Sequence, residues 1–111
     1  MRSLPDTCSK QAINYNTAAS GGDCVLTLNA VANNYNVLDW IVWSYAADPT
    51  SGEVKVVDTT NNTTLLSMDV TVGGPGQIVF GDRGLVAPKG AALEITMVDG
   101  NTTKKLSVQS R

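Results

Sequence analysis

From residue 11 onward, clusters of Gly, Pro, Asn, Asp and Ser interrupt the chain at close, regular intervals, and the stretches between them alternate apolar and polar residues. That combination marks antiparallel sandwiches and barrels, and no stretch sustains the 3.6-residue period of an amphipathic helix. The breaks fall at Ser20-Gly21-Gly22-Asp23, Asp48-Pro49-Thr50-Ser51-Gly52, Asn61-Asn62, Gly73-Gly74-Pro75-Gly76, Gly81-Asp82-Arg83-Gly84, Pro88-Lys89-Gly90 and Asp99-Gly100-Asn101. Thirteen valines and twelve threonines suit a pleated surface and reinforce the same reading.

The pattern predicts strands over 11–18, 24–31, 36–47, 53–58, 64–72, 76–80, 91–98 and 103–109, with a short one at 84–87. In 64–72, Leu66, Met68, Val70 and Val72 face one way and Ser67, Asp69 and Thr71 the other, as in a sheet with one wet side. Leu93, Ile95 and Met97 repeat the alternation, as do Leu106 and Val108; with Asp99-Gly100-Asn101 between them, these two strands are expected to pair as a hairpin. Gly100 is expected to supply the positive φ of that turn. The fold expected is an all-β, jelly-roll-like antiparallel β-sandwich of eight or nine strands over 11–111, preceded by an extended N-terminal arm at 1–10. A seven-stranded immunoglobulin-like sandwich is the nearest competitor, but Cys8 and Cys24 lack the Cys…Trp…Cys order that would support it.

The strand at 36–47 breaks the pattern. Val37, Ile41, Trp43 and Tyr45 fall on one parity and Leu38, Trp40 and Val42 on the other, so both faces are apolar. A two-layer sandwich offers each sheet one core side, so the second face must be covered by this chain or by another molecule. Trp and Tyr are favoured interface anchors. Tyr35, Trp40, Trp43 and Tyr45, together with Leu4 and Pro5 of the arm, are therefore the candidate partner-binding residues. Parity does not say which tryptophan is inside.

Chemistry is hard to place on this chain. It has no histidine, which removes the commonest metal ligand and the usual proton carrier near neutral pH. Two cysteines without a CxxC spacing do not make a zinc site, and Cys8 and Cys24 read either as small apolar residues or, in an oxidising compartment, as a disulfide. The carboxylates are scattered and sit mostly at turns (Asp23, Asp48, Asp58, Asp82, Asp99), where they bond backbone amides. Sequons begin at Asn61, Asn62 and Asn101, where turn chemistry explains them equally well. The glycine-rich segment at 73–76 reads as a turn between strands and lacks the helix and Lys-Ser/Thr that phosphate binding requires. A net charge of -2 offers no footprint for nucleic acid or an anionic membrane, and no window approaches a membrane span. The expectation is a non-enzymatic protein without cofactor, metal or small-molecule substrate.

The order LDWIVWSYAADPTSGEVKV, LLSMDVTVGGPGQIVF, a Gly-Leu-Val turn, ALEITMVDG and a closing KLSV strand, spanning 38–108, resembles small proteins of tailed phages and prophages. It is most similar to the capsid decoration, or cement, proteins of the epsilon-15-like podoviruses. Trp43, Ser44, Tyr45, Pro49, Gly52, Asp69, Gly73, Gly74, Pro75 and Gly76 carry the match, and none of them is a catalytic signature. The resemblance implies a jelly roll made in the host cytoplasm that binds the outer surface of the expanded head. There it would contact the major capsid protein as a homo-oligomer and staple neighbouring subunits against DNA pressure. The competing function is a carbohydrate-binding or tail-fibre module, in which an exposed Trp stacks on a sugar.

Overall fold

The computed structural model describes residues 12–111; the arm at 1–10, with Leu4, Pro5 and Cys8, lies outside the described residues. Nine strands and no helix make up the described chain: β1 Ala12–Ala18, β2 Cys24–Leu28, β3 Val37–Tyr45, β4 Gly52–Asp58, β5 Thr63–Val70, β6 Gly74–Val79, β7 Leu85–Val86, β8 Leu93–Met97 and β9 Lys104–Ser110. One sheet runs β1-β9-β3-β6, with the two-residue β7 also paired to β3; the other runs β2-β8-β4-β5. All pairings are antiparallel. Successive strands switch layers except at the β4–β5 hairpin and between β6 and β7, which is the connectivity of a jelly roll.

The core lies between the layers. Leu38, Ile41, Trp43, Tyr45, Leu106 and Val108 come from the first sheet and meet Cys24, Val54, Val56, Leu93, Ile95 and Met97 of the second. In β5 the expected alternation holds for Leu66, Met68 and Val70, which pack on this core; Val72 falls past the strand end and is exposed. The turn carboxylates tie loops together: Asp48 accepts from the Gly73 amide at 2.7 Å, Asp23 from Asp99 at 2.8 Å, and Asp58 from Thr60 and Asn61 at 3.0 Å. Asn62 and Asn101 take positive φ (53° and 61°), in keeping with the turn reading of the sequons.

Three expectations are corrected. β8 and β9 do not pair, because the chain changes sheets between them: β8 lies between β2 and β4, and β9 between β1 and β3. The positive φ of that connection falls on Asn101; Gly100 instead lacks a Cβ where one would collide with the Pro49 side chain. Gly74, Pro75 and Gly76 belong to β6 and not to a turn, and Gly76 is required because the indole of Trp43, directly opposite in register, occupies the space of a Cβ.

The two-faced strand also resolves differently from its parity. The β3–β9 register shifts between Leu38 and Trp40, so a bulge at Asp39 turns Leu38 onto the same side as Ile41, Trp43 and Tyr45. Leu38 is therefore core, and Trp40 and Val42 remain on the outer side.

Candidate functional site

The registers of β1, β9, β3 and β6 define the outer face of the first sheet as three rows. They are Ile13–Gln109–Trp40–Val79, Tyr15–Ser107–Val42–Gln77 and Thr17–Lys105–Ser44–Pro75. Lys105 is the one charged side chain in these rows. Ile13, Tyr15 and Val79 are 66%, 60% and 66% exposed, while Trp40 and Val42 are half-buried between their neighbours. The outer face of the second sheet is more polar, bearing Glu53, Lys55, Ser67, Asp69, Glu94 and Thr96 beside half-buried Val25 and Val57. Exposed aromatic and branched apolar side chains are thus concentrated on one layer, the arrangement expected of a docking surface.

Trp40 is held in place within this face. Its indole Nε1 donates to Gln109 Oε1 at 3.1 Å, and Gln109 Nε2 donates to Asp39 Oδ2 at 3.2 Å. Arg111 Nε donates to Asp39 Oδ1 at 2.6 Å and Nη2 to the Asp82 carbonyl at 2.7 Å. The bulge at Asp39 creates this network by freeing the carboxylate to reach across to the end of β9. Beside it lies an open depression of about 560 Å³ lined by Asp39, Trp40, Val79, Gly81, Asp82, Gln109 and Arg111.

Of the residues expected to bind a partner, Trp40 lies on the face and Tyr35 is exposed on the loop before β3, against a second depression shared with Val31 and Arg111. Trp43 and Tyr45 are corrected: they are 8% and 0% exposed and belong to the core. The Tyr45 hydroxyl donates to the Val98 carbonyl at 2.7 Å, and burial pushes its ionisation up. Cys24 is likewise buried, which raises its thiol, so it is a core residue.

Ile13, Tyr15 and Val79 were not among the expected residues, yet they dominate the exposed area. The signal was present in β1, where Ile13 and Tyr15 alternate with Asn14 and Asn16. It is the asparagines that face inward: Asn16 Nδ2 donates to the Val25 carbonyl at 2.8 Å. The strand has inverted amphipathicity, with polar residues in and apolar ones out. Among the described residues there is no group of three or more Cys, Asp or Glu placed to hold a metal.

No protein-family model matches the chain, and no curated protein matches it in sequence. Solved structures do match in fold. The core of Drosophila NLP, a pentamer-forming, histone-binding protein, superposes with a TM-score of 0.54 at 9% identity, over 90% of this chain and 95% of that one. A chain in the acid-stable capsid of Helicobacter pylori bacteriophage KHP30 gives 0.51 at 13% identity, over 90% and 86%. A fucose-binding module of Streptococcus pneumoniae gives 0.47 at 10% identity, over 85% and 70%. At these identities the likeness is one of fold alone.

Proposed function

We propose that the chain is a phage capsid decoration protein that lays the outer face of its β1-β9-β3-β6 sheet on the outside of an expanded head and staples neighbouring major capsid protein subunits. The observation that carries this reading is the contiguous apolar surface on one layer, in which exposed Ile13, Tyr15 and Val79 flank half-buried Trp40 and Val42. The sequence resemblance over 38–108 points the same way, and the KHP30 match adds that such a sandwich occurs in a phage capsid. In this role the protein needs no catalysis, cofactor, nucleic acid or membrane. Binding to the assembled shell alone stabilises that shell by mass action.

The test is co-sedimentation with expanded phage heads lacking decoration protein, scored as bound copies per shell subunit. Saturation at a fixed ratio is expected, with Val42→Lys removing binding. Absent or non-saturable binding overturns the proposal.

The depression beside Trp40 favours a second reading, a glycan site with the indole as platform. Against it, the side chains of Trp40, Gln109 and Arg111 and the carboxylate of Asp39 are already bonded within the network, leaving few groups to recognise sugar hydroxyls. Quenching or enhancement of Trp fluorescence by oligosaccharides, with no head binding, would establish the second reading.

A further inference from the structure

Besides the two-residue β7, four strands edge the two sheets, and three of them carry features that discourage further pairing. β6 has Pro75, and because Gly74 and Gly76 pair with Tyr45 and Trp43 on the bonded side, the missing proline N–H falls on the free side. β5 is bulged where the register skips Leu65, and it carries Asp69. β2 has only five residues, and its outward Val25 carbonyl is capped by Asn16 Nδ2.

β1 carries only one such device, a local side-chain bond on the outward amide of Thr17. Its seven residues, Ala-Ile-Asn-Tyr-Asn-Thr-Ala, contain no charge and no proline, and they pair with β9 without a register break. Among the described residues β9 is its one partner. The bonding phase of the sheet fixes which amides lie on the free side. Ala46 N donates to the Thr103 carbonyl, so the alternation along β9 turns Lys105, Ser107 and Gln109 toward β3 and away from β1. Their β1 partners Thr17, Tyr15 and Ile13 therefore direct N–H and C=O outward. Thr17 N donates locally to Asn16 Oδ1 at 2.9 Å, in keeping with this phase, and pairing with a second copy exchanges that bond for one to the facing Ile13 carbonyl.

The residue order of β1 is a near-palindrome about Tyr15. An antiparallel pair related by a two-fold axis at Tyr15 sets Tyr15 opposite its own copy, Ile13 opposite Thr17, Asn14 opposite Asn16 and Ala12 opposite Ala18. Isologous contacts require this reciprocity. Every pair is compatible: aromatic with aromatic, β-branched with β-branched, amide with amide. From this self-complementarity we infer that β1 is a homodimer edge, joining two copies through Ile13, Tyr15 and Thr17 into one continuous eight-stranded sheet whose apolar outer faces merge.

The experiment uses the purified full-length chain and no phage heads, so its outcome is independent of shell docking. Sedimentation equilibrium is expected to give twice the 11.7 kDa chain mass. Tyr15→Lys sets like charges across the axis and is expected to return the chain mass. In a Cys8→Ser background, Tyr15→Cys is expected to form an intermolecular disulfide on oxidation. Ile13→Cys, several residues from its own copy in this register, and Val79→Cys, at the opposite edge, are expected not to. A monomeric wild type overturns the inference, as does a dimer that survives Tyr15→Lys or cross-links through Val79→Cys instead of Tyr15→Cys.

Discussion

Lys104 is fully buried, an unusual state for a lysine. Its ammonium donates to the carbonyls of Ala19 (3.1 Å) and Thr102 (2.7 Å) and pairs with Asp99 Oδ1 at 3.1 Å, so one side chain joins the β1–β2 connection to the β8–β9 crossover. Asp99 also accepts from the Gly21 and Asn101 amides. The Gly21 amide first, and then Lys104, hold its carboxyl below the ordinary 3.8; Asp58 is lowered chiefly by the Asn61 side chain. A carboxyl depressed in the folded state contributes stability that is complete above its unfolded value and is lost as pH falls through the folded one. Thermal melting is therefore expected to be flat near neutrality and to drop below about pH 4, with a shallower drop in Asp99→Asn. Lys104→Met is expected to cost about 2–4 kcal/mol at pH 7, because it takes the donor from two carbonyls and the cationic partner from Asp99. Urea titrations across pH check both statements; an acid limb identical in wild type and Asp99→Asn contradicts them.

At the scale of the element, β3 decides how the two tryptophans behave. Trp43 fills the space over Gly76 inside the sandwich, whereas Trp40 lies on the outer face, held by Gln109. Trp43→Ala is expected to cost about 3–5 kcal/mol, and Trp40→Ala a fraction of that while weakening head binding. Equal losses in chemical denaturation would contradict this assignment. Strand positions were legible because alternation and turn residues are local: the expected 53–58 and 103–109 strands differ by about one residue from Gly52–Asp58 and Lys104–Ser110. What was illegible depends on register. A single bulge at Asp39 moved Leu38 to the core, and no pattern within 36–47 marks it. The β8–β9 turn residues fit a hairpin equally well, and only the partners on either side draw the strands into different sheets. The candidate docking face was half legible for the same reason: Trp40 announced itself by excess, while Ile13 and Tyr15 required knowing that β1 turns its asparagines inward.

The described residues form a slab of 43 × 38 × 21 Å with one largely apolar and one charged broad side. Four strands spaced ~4.8 Å apart and about seven residues long at ~3.3 Å each present a flat area of only ~450 Å². Stable interfaces hide about 800 Å² per partner, so one copy is a weak binder and two copies joined at β1 come much closer to that size. Under the proposed function, the inferred dimerisation and the docking are two steps of one design, in which edge pairing would assemble a face large enough to hold the shell. The chemistry of that face dictates the thermodynamics. Lys105 is its one charge in the three rows, and Asp39 and Arg111 at its margin neutralise each other at 2.6 Å. Docking through it buries apolar surface with little charge pairing, so calorimetric titration onto heads should give a negative heat-capacity change. Raising NaCl about tenfold should alter the affinity by less than about threefold, since screening acts on charges the interface does not use. A steep loss of affinity with salt would instead place the contact on the opposite side, where Glu53, Lys55, Asp69 and Glu94 lie.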